Sequence, residues 1–346
     1  MADEALTAAP IPPPTSTPPP ALAVLQKAWR FILQQRTLSV ALIAVAMVIY
    51  FQLSKSVFLS AGNLQTLIQY ISETAIIAAG EVMLLICGEI DLSVGSVYAL
   101  APFVMYYANQ NGVPLLGGIV IALLVCAAIG FINGFASVYF RVPSLIATLG
   151  TQLLVSGVTL VITNATPVLT PDTFPKVTSF AKLFGNNPYF EISWTLAIVI
   201  VMQALLSMTP WGLRTVATGG NPLGASEVGI GANRIKMVHF MVASALAGFA
   251  GVLGAFRVGS TDPLAGGTTI MFNAIAGAVI GGTALTGGSG TVIGALLGVC
   301  VLGILQDGIT LIGVNADYYY IVVGAAILAA MILNVRLSQL RKAGQS

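Results

Sequence analysis

The sequence is organised around the stretch GEIDLSVGS at residues 88–96, which joins two long apolar runs. Glu89 and Asp91 place two carboxyl groups where a membrane-spanning chain normally excludes charge. A charged side chain at the centre of a bilayer costs roughly 2.5 to 3.5 kcal/mol on insertion scales, so such residues usually face protein, water or a transport pathway. The stretch is therefore either a turn at the membrane surface or a functional element.

The composition is that of a protein with several membrane spans. Of the 346 residues, 57% are hydrophobic and 8% are charged, whereas soluble domains carry about 25% charged residues. The 37 glycines permit close helix packing and broken helices in lipid. The net charge is only +2 and no basic cluster is present, so we expect membrane lipid and no nucleic acid as a partner.

Cysteine and histidine usage excludes two kinds of site. The three cysteines are scattered through apolar runs without CxxC spacing, and His239 is the single histidine. This pattern argues against a disulfide framework and against a multi-histidine metal site. We expect no metal and no cofactor, and we interpret His239 as structural.

Apolar runs predict an all-α polytopic fold of about ten transmembrane helices. Most runs approach the ~20 residues that a spanning helix needs, but the run at 269–283 is short and rich in glycine, which indicates a tilted or broken element. The predicted spans are 38–53, 63–87, 92–108, 115–139, 144–163, 192–209, 237–257, 269–283, 291–312 and 318–335.

The two ends of the chain have a different composition from the predicted transmembrane domain at 38–335. Residues 1–20 are rich in proline and lack a basic segment, which predicts a disordered tail and no secretory signal peptide. Residues 21–37 mix cations with aromatic side chains, as in a helix that lies at the membrane interface. Residues 336–346 are predicted to form a cytoplasmic tail.

Lysine and arginine positions predict the orientation, because cytoplasmic loops retain cations. With the amino terminus inside, ten of the 14 cations fall on the cytoplasmic side and both termini are cytoplasmic. The connection at 164–191 is then external and could cap the molecule or receive a partner. The connection at 209–236 is cytoplasmic. The four cations that fall outside are Lys55, Lys176, Lys182 and Arg257.

A weak internal repeat is visible in the glycine-rich turns. GEIDLSVGS at 88–96 has a counterpart in GGTALTGGSG at 281–290, and GFING at 130–134 is similar to GILQDG at 303–308. Each of the first two is followed by an apolar run. Duplicated halves with broken helices are common in transporters, so we predict that the two halves share an architecture.

Within the first motif, Asp91 and Ser93 have the side chains of a helix start, since both can accept hydrogen bonds from backbone N–H groups. Gly88 and Gly95 would allow a tight bend or a close approach. Two interpretations follow. The motif is a capped turn between two helices, or the turn shapes a pathway and transmits movement.

GEIDLSVGS resembles the GGIDLSVGS signature of the permease subunits of ribose, xylose and arabinose type ABC sugar importers. Glu89 stands where the family usually has glycine. The resemblance continues through PSLIATLG at 143–150, where the family has PFIATLG, through the connection at 209–236 and through residues 281–313. It implies a bacterial inner-membrane permease subunit that works with a second permease chain, an ATP-binding subunit and an external substrate-binding protein.

The connection at 209–236 contains the signals of a short helix. Asn221 can cap it, Pro222 suits its first position and Gly229 can end it. A helix of two turns is marginal in water and needs a surface to pack on. In the resembling permeases this segment docks on the ATPase, which implies a coupling role for Gly219, Asn221, Pro222, Ala225, Glu227, Gly229 and Ile230.

The energy source must be another protein. The sequence contains no GxxxxGK[ST] phosphate loop, because GGSGT at 287–291 lacks the lysine that would reach the phosphates. We therefore predict no catalytic residue in this chain and ATP hydrolysis by a separate subunit.

Polar side chains inside the predicted spans are candidates for the pathway. Glu73 and Glu81 lie eight residues apart in the second span, on related faces. These side chains can bond sugar hydroxyls, or they can pair across helix interfaces with Asn or Arg. Asn133, Gln306 and Asp307 have the same two interpretations.

The sequence predicts a permease subunit of an ATP-driven importer for a monosaccharide or a related polyol. One alternative is a proton-coupled secondary transporter with Glu73, Glu81 or Asp91 as its relay. Another is the same importer architecture with a non-sugar cargo, such as a branched-chain amino acid. The sequence does not name the sugar, and it leaves a homodimer and a heterodimer equally open.

Overall fold

The computed structural model describes residues 36–315, 318–329 and 332, and this part of the chain is almost entirely helical. We number its elements in chain order. They are α1 Arg36–Ser54, α2 Ala61–Ile86, α3 Val94–Gln110, α4 Leu115–Val138, α5 Ser144–Thr163, β1 Val168–Leu169, α6 Ser179–Leu183, α7 Pro188–Met208, α8 Pro210–Gly220, α9 Pro222–Glu227, α10 Ala232–Val258, β2 Ser260–Thr261, α11 Gly267–Ile280, α12 Val292–Leu311 and α13 Tyr318–Ala329.

Each predicted span corresponds to a helix, but the count of about ten transmembrane helices is not confirmed. Among the described residues, seven helices are long and apolar enough to cross a bilayer. They are α1, α2, α4, α5, α7, α10 and α12. Helix α3 has 17 residues and α11 has 14. The described part of α13 is also shorter than a full span.

Several predictions concern parts of the chain outside the described residues. These are the disordered tail at 1–20, the interfacial helix at 21–37 except for its last two residues, and the cytoplasmic tail at 336–346. They stay predictions.

Helix α10 lies at the centre of the bundle, where it packs against α2, α3 and α4. Glycines let these helices approach one another closely. A Cβ atom built on Gly251 of α10 would lie 2.0 Å from the carbonyl oxygen of Tyr98 in α3, and one on Gly130 of α4 would lie 2.3 Å from the carbonyl oxygen of Phe240. The glycine-rich composition therefore serves backbone contact between helices.

Two of the shorter helices, α3 and α11, begin against each other inside the bundle. A Cβ atom on Gly95, in the first turn of α3, would lie 1.9 Å from the carbonyl oxygen of Gly267, which begins α11. The run at 269–283 forms a helix of only 14 residues, and its interpretation as a tilted or broken element stays a prediction. The same geometry at α3 was not predicted, because the apolar run at 92–108 was interpreted as an ordinary span.

The helices run between two ends of the molecule. At one end, which we call the α9 end, the backbones of Gly219 and Gly288 meet the end of α2. At the other, the strand end, β1 pairs antiparallel with β2 so that Val168 lies opposite Thr261. The connection predicted as a possible cap therefore contributes a strand to this end, a feature that the sequence did not predict.

The turns after α2 and α11 have the same backbone geometry. Gly88 and Gly282 both have positive φ angles, of 78° and 98°. The N–H of the next residue then reaches back to the last turn of the helix, from Glu89 to the carbonyl of Leu84 and from Thr283 to the carbonyl of Ala278. Glycine is favoured at both positions because a Cβ atom makes a positive φ angle strained. The shared geometry supports the predicted repeat at these two turns.

The close contact between α10 and α3 gives a first prediction. Gly251→Ala should lower the stability of the chain by about 1 to 3 kcal/mol, because the added methyl group overlaps the backbone of α3. Thermal unfolding of the purified chain in detergent measures the effect. Gly157→Ala is the matched control, since Gly157 lies inside α5 with nothing within 4 Å of its Cβ position. Equal stability of the two variants would contradict this packing.

Candidate functional site

The carboxylate of Asp91 is the centre of a buried hydrogen-bond network. Ser93 donates to Asp91 Oδ1 twice, from its backbone N–H at 2.8 Å and from its hydroxyl at 2.6 Å. Ser244 of α10 donates to Asp91 Oδ2 at 3.2 Å, and the amide of Asn133 in α4 donates to Ser93 Oγ at 2.8 Å. These four residues, which we call the Asp91 network, join the start of α3 to α4 and α10.

Helix α5 holds the backbone of the same turn. The N–H of Ile90 donates to Ser144 Oγ at 3.3 Å, and the N–H of Leu92 donates to Thr148 Oγ1 at 3.0 Å. Ser144 and Thr148 belong to the stretch PSLIATLG at 143–150. The two motifs that carry the family resemblance are therefore in direct contact, and each fixes the position of the other.

The predicted helix cap at Ser93 is wrong. Ser93 is the residue before α3, but its side chain caps no backbone N–H of that helix. The hydroxyl instead donates to Asp91, because a buried carboxylate that lacks donors costs more free energy than a helix N–H that lacks a side-chain cap. Asp91 accepts the N–H of Ser93, so it orders the turn before the helix.

The depth of the motif also differs from the expectation of a turn at the membrane surface. Glu89 lies at the α9 end, where it forms an ion pair of 2.6 Å with Lys236 in the first turns of α10. Ser244, the partner of Asp91, lies 12 residues after Ala232, which is roughly 18 Å along the helix axis. The chain therefore enters the bundle as an extended segment, and Asp91 lies about half way along α10.

Glu81 adds a second carboxyl group beside the Asp91 network. Its side chain is fully buried in α2 and interacts electrostatically with Asp91. The backbone N–H of Asp91 also interacts with this carboxyl group, although no donor among the described residues meets either oxygen within strict hydrogen-bond distance and angle. Glu81 and Asp91 thus lie together, whereas Glu73, which the sequence placed on a related face, belongs to a different cluster.

Glu73 forms an ion pair across helices near the strand end. Arg257 of α10 donates to Glu73 Oε1 at 2.6 Å, and the hydroxyl of Tyr98 in α3 donates to Glu73 Oε2 at 2.7 Å. Pairing with arginine was one of the two interpretations for this acid, and it is confirmed. The sequence placed Arg257 only in an external position and did not connect it with Glu73.

Glu191 is a buried acid that sequence reasoning missed. It lies near Glu73 and Arg257, interacts electrostatically with both, and has no hydrogen-bond partner for its carboxyl oxygens within the described structure. The predicted span began at 192, but α7 begins at Pro188 with Asn187 as its cap. Asn187 followed by Pro188 is a helix-start signal. Use of that signal would have placed Glu191 inside the predicted helix.

The remaining polar candidates lie on α12. Asp307 accepts a hydrogen bond of 2.6 Å from the amide of Asn63 in α2, so it pairs across a helix interface as one interpretation expected. The neighbouring Gln306 is half-buried, and its side-chain oxygen lacks a partner among the described residues. Neither Gln306 nor Asp307 belongs to the Asp91 network. Asn133, the third of these candidates, does.

The short helix predicted in the 209–236 connection is present as α9. Asn221 caps it with a hydrogen bond of 3.0 Å from the N–H of Gly224, Pro222 is its first residue and Gly229 follows with a φ of 80°. Ala225 is buried against the chain. Leu223 and Val228, at the two ends of the helix, are 77% and 76% exposed. Glu227 is exposed as well.

The residues before α9 contact the first motif. A Cβ atom on Gly219 would lie 1.7 Å from the carbonyl oxygen of Ile86 and 2.9 Å from the backbone nitrogen of Gly288. The N–H of Gly288 donates to the same carbonyl oxygen of Ile86 at 2.8 Å. The ends of α2 and α8 and the turn at 281–291 therefore meet in one backbone junction. Gly219 lies two residues before Asn221, the cap of α9, and Ile86 lies two residues before Gly88.

His239 occupies a structural position, as the sequence indicated. It is buried in α10, where its Nε2 lies 2.9 Å from Thr215 Oγ1 and its ring contacts Trp211 edge to face. Among the described residues, no group of three or more His, Cys, Asp or Glu side chains could hold a metal ion.

Comparisons with known proteins place this chain in a family. The family model described as "Branched-chain amino acid transport system / permease component" matches residues 63–331. The ribose import permease protein RbsC of Escherichia coli is 36% identical over 318 residues, which is 89% of this chain and 95% of that protein. No solved structure matches the chain.

Two further relatives cover most of the chain. The xylose/arabinose import permease protein XylH of Sulfolobus acidocaldarius is 33% identical over 305 residues, 85% of this chain and 83% of the relative. The D-allose transport system permease protein AlsC of Escherichia coli is 32% identical over 299 residues, 86% of this chain and 91% of the relative. The chain therefore belongs to the family of branched-chain amino acid transport system permease components.

Proposed function

We propose that this chain is the membrane permease subunit of an ATP-driven importer for a monosaccharide. The observation that carries this proposal is its similarity, over more than four fifths of its length, to permeases named for ribose, xylose/arabinose and D-allose. Permease subunits of this family work with ATP-binding and substrate-binding partners. Both termini are proposed to be cytoplasmic.

The proposed mechanism requires movement of the permease by a separate ATPase. The exposed residues Leu223 of α9 and Val228, which follows α9, are available to a partner. Gly219 joins this helix to the ends of α2 and α8. A displacement of α9 would therefore reach the turn at residues 88–93 directly. The Asp91 network would pass it to α4 and α10, because its hydrogen bonds connect those helices.

In this mechanism the sugar arrives on an external binding protein at the strand end and passes between two permease subunits. Asp91 is buried within one chain and is already satisfied by donors, so its proposed role is to position helices. Glu81 is also buried within the chain beside Asp91. Of the candidates, Gln306, whose side-chain oxygen has no partner within the described structure, remains the side chain proposed for the pathway. Glu73, Asn133 and Asp307 hold helices together.

A second cargo class is a branched-chain amino acid, because the matching family model carries that description. The named sugar permeases and the motif resemblance favour a sugar. Proton-coupled transport is less favoured, since the relatives named above are import permeases of the sugar systems.

Reconstitution tests the proposed function. The chain is placed in liposomes with its ATP-binding subunit and its substrate-binding protein, and uptake of labelled ribose, xylose, allose and leucine is measured. We expect ATP-dependent uptake of one of the sugars and no uptake by the chain alone under a proton gradient. Uptake driven by the proton gradient alone, or uptake of leucine only, would contradict the proposal.

Docking of the ATPase through α9 predicts the effect of a single substitution. Leu223→Ser should weaken binding of the ATP-binding subunit at least tenfold, because a buried leucine contributes roughly 1.5 to 3 kcal/mol. Co-purification and titration of the two subunits measure the change. Leu169→Ser, which alters another exposed leucine at the strand end, should bind normally. Equal loss in both variants would show that α9 is not the docking element.

The proposed role of Asp91 predicts a separation of transport from assembly. Asp91→Asn should reduce ATP-driven uptake about tenfold, which corresponds to roughly 1.4 kcal/mol, and leave ATPase binding intact, because only the network inside the bundle loses an acceptor. Glu89→Gln is the comparison variant, since it changes the partly buried ion pair with Lys236 at the α9 end and leaves the Asp91 network in place. Uptake at the original rate in the Asp91→Asn variant would show that the motif is only a structural turn.

A further inference from the structure

Uncharged polar side chains from four helices meet at a place that shares no residue with the Asp91 network. They are Tyr70 of α2, Asn273 of α11, Gln306 of α12 and Tyr319 of α13. The amide of Asn273 donates to the Tyr70 hydroxyl at 2.9 Å, and the Tyr319 hydroxyl donates to Asn273 Oδ1 at 3.2 Å. The Tyr70 hydroxyl also interacts with Gln306 and Tyr319. We call these residues the Tyr70 cluster.

The Tyr70 cluster reaches the surface of this chain at a depth inside the membrane spans. Asn273 and Tyr319 are buried, whereas Tyr70 and Gln306 are half-buried. Tyr70 follows the start of α2 at Ala61 by nine residues, which is roughly 14 Å along the helix axis. Both α2 and α12 are long enough to cross the bilayer. The half-buried polar groups therefore do not lie at the ends of their helices.

The surface beside the Tyr70 cluster is unsuited to lipid. On α2, Thr66 lies one turn before Tyr70 and is exposed, and Gln69 is half-buried. Helix α5 shows the opposite pattern, because its exposed side chains are all leucine, isoleucine or valine. Polar side chains within membrane spans usually face protein or water. We therefore expect α5 to face lipid, and the surface at Tyr70 and Gln306 to face a water-filled pathway.

The chemistry of the cluster matches the hydroxyl groups of a sugar. Tyrosine hydroxyls and side-chain amides both donate and accept hydrogen bonds, as sugar hydroxyls do. Within the described chain, the side-chain partners of Tyr70 and Tyr319 are tyrosines and amides. An amino acid would bring an ammonium and a carboxylate group, and neither would find a counter-charge among these partners. The cluster thus favours a neutral ligand.

The side-chain oxygen of Gln306 is the acceptor that a ligand can use. It is buried, and no donor within the described structure meets it with strict hydrogen-bond distance and angle. A buried acceptor without a donor costs free energy. A ligand hydroxyl that enters beside Tyr70 would supply that donor, and the Tyr70 hydroxyl would lie next to it.

We propose that the Tyr70 cluster contacts the hydroxyl groups of a neutral monosaccharide as the sugar passes between two permease subunits. Gln306 accepts from a sugar hydroxyl, and the hydroxyl of Tyr70 forms the second contact. This inference rests on the proposed function and names the side chains that touch the cargo. Asn273 and Tyr319 hold Tyr70 in place through the two hydrogen bonds given above.

Uptake by the reconstituted importer tests the contact, with sugar-loaded binding protein at a saturating concentration. Gln306→Leu and Tyr70→Phe should each lower ATP-driven sugar uptake about fivefold, which is roughly the effect of one lost hydrogen bond. Tyr107→Phe is the matched control, because the Tyr107 hydroxyl donates to the backbone of Ile162 outside the cluster. It should transport at the original rate.

Stability and assembly separate this role from a structural one. Gln306→Leu should keep the unfolding temperature and the ATPase binding of the original chain, since its side-chain oxygen has no partner to lose. Sugar uptake at the original rate in both Gln306→Leu and Tyr70→Phe overturns the proposal. A loss of uptake that is matched by a loss of stability or of ATPase binding in Gln306→Leu also overturns it.

Thiol labelling distinguishes failure of this proposal from failure of the proposed function, because labelling does not depend on the cargo. The three native cysteines are first replaced by alanine. Gln306→Cys should then react with a charged, water-soluble thiol reagent, whereas Leu153→Cys on the exposed face of α5 should not. No reaction at Gln306→Cys overturns the proposed pathway position. If Gln306→Cys reacts but the original chain transports no sugar, the proposed function fails and the sugar contact fails with it.

Discussion

A carboxylate buried half way through a bundle of apolar helices is the constraint on which the rest of this structure depends. Asp91 is tolerable there only because donors surround it, and those donors come from α4, α10 and its own turn. A buried charge that loses its partners is strongly destabilising. The requirement therefore fixes where the extended segment after α2 ends and where α3 begins.

The same requirement explains the shape of the helices around it. A segment that enters the bundle in extended form needs backbone partners, which Ser144 and Thr148 supply from α5. Helix α3 then starts inside the bundle, close to the start of α11 at Gly267. Small residues at these crossings allow the two starts to meet. The glycine content and the buried acid are thus parts of one arrangement, with the junction at Gly219 connecting it to α9.

Some of this could be predicted from the sequence because the signals are local. Hydropathy located the helices, and Asn221, Pro222 and Gly229 located α9, since capping and positive φ depend on a few neighbouring residues. The partners of Asp91 could not be predicted in the same way. Ser244 is a small polar residue in an apolar run with no signal of its partner. Glu191 was missed because the start of α7 was placed too late. Contacts between helices that are far apart in the sequence depend on how the helices pack, and local sequence signals do not reveal that packing.

A double-mutant cycle can measure whether Ser244 couples Asp91 to helix α10. Thermal unfolding of the purified chain is measured for Asp91→Asn, Ser244→Ala and the double variant, with Ser193→Ala as an exposed control on α7. We expect a coupling free energy of about 1 kcal/mol between Asp91 and Ser244, and additive effects of Asp91→Asn and Ser193→Ala. Additive effects for Asp91 and Ser244, within roughly 0.3 kcal/mol, would contradict it.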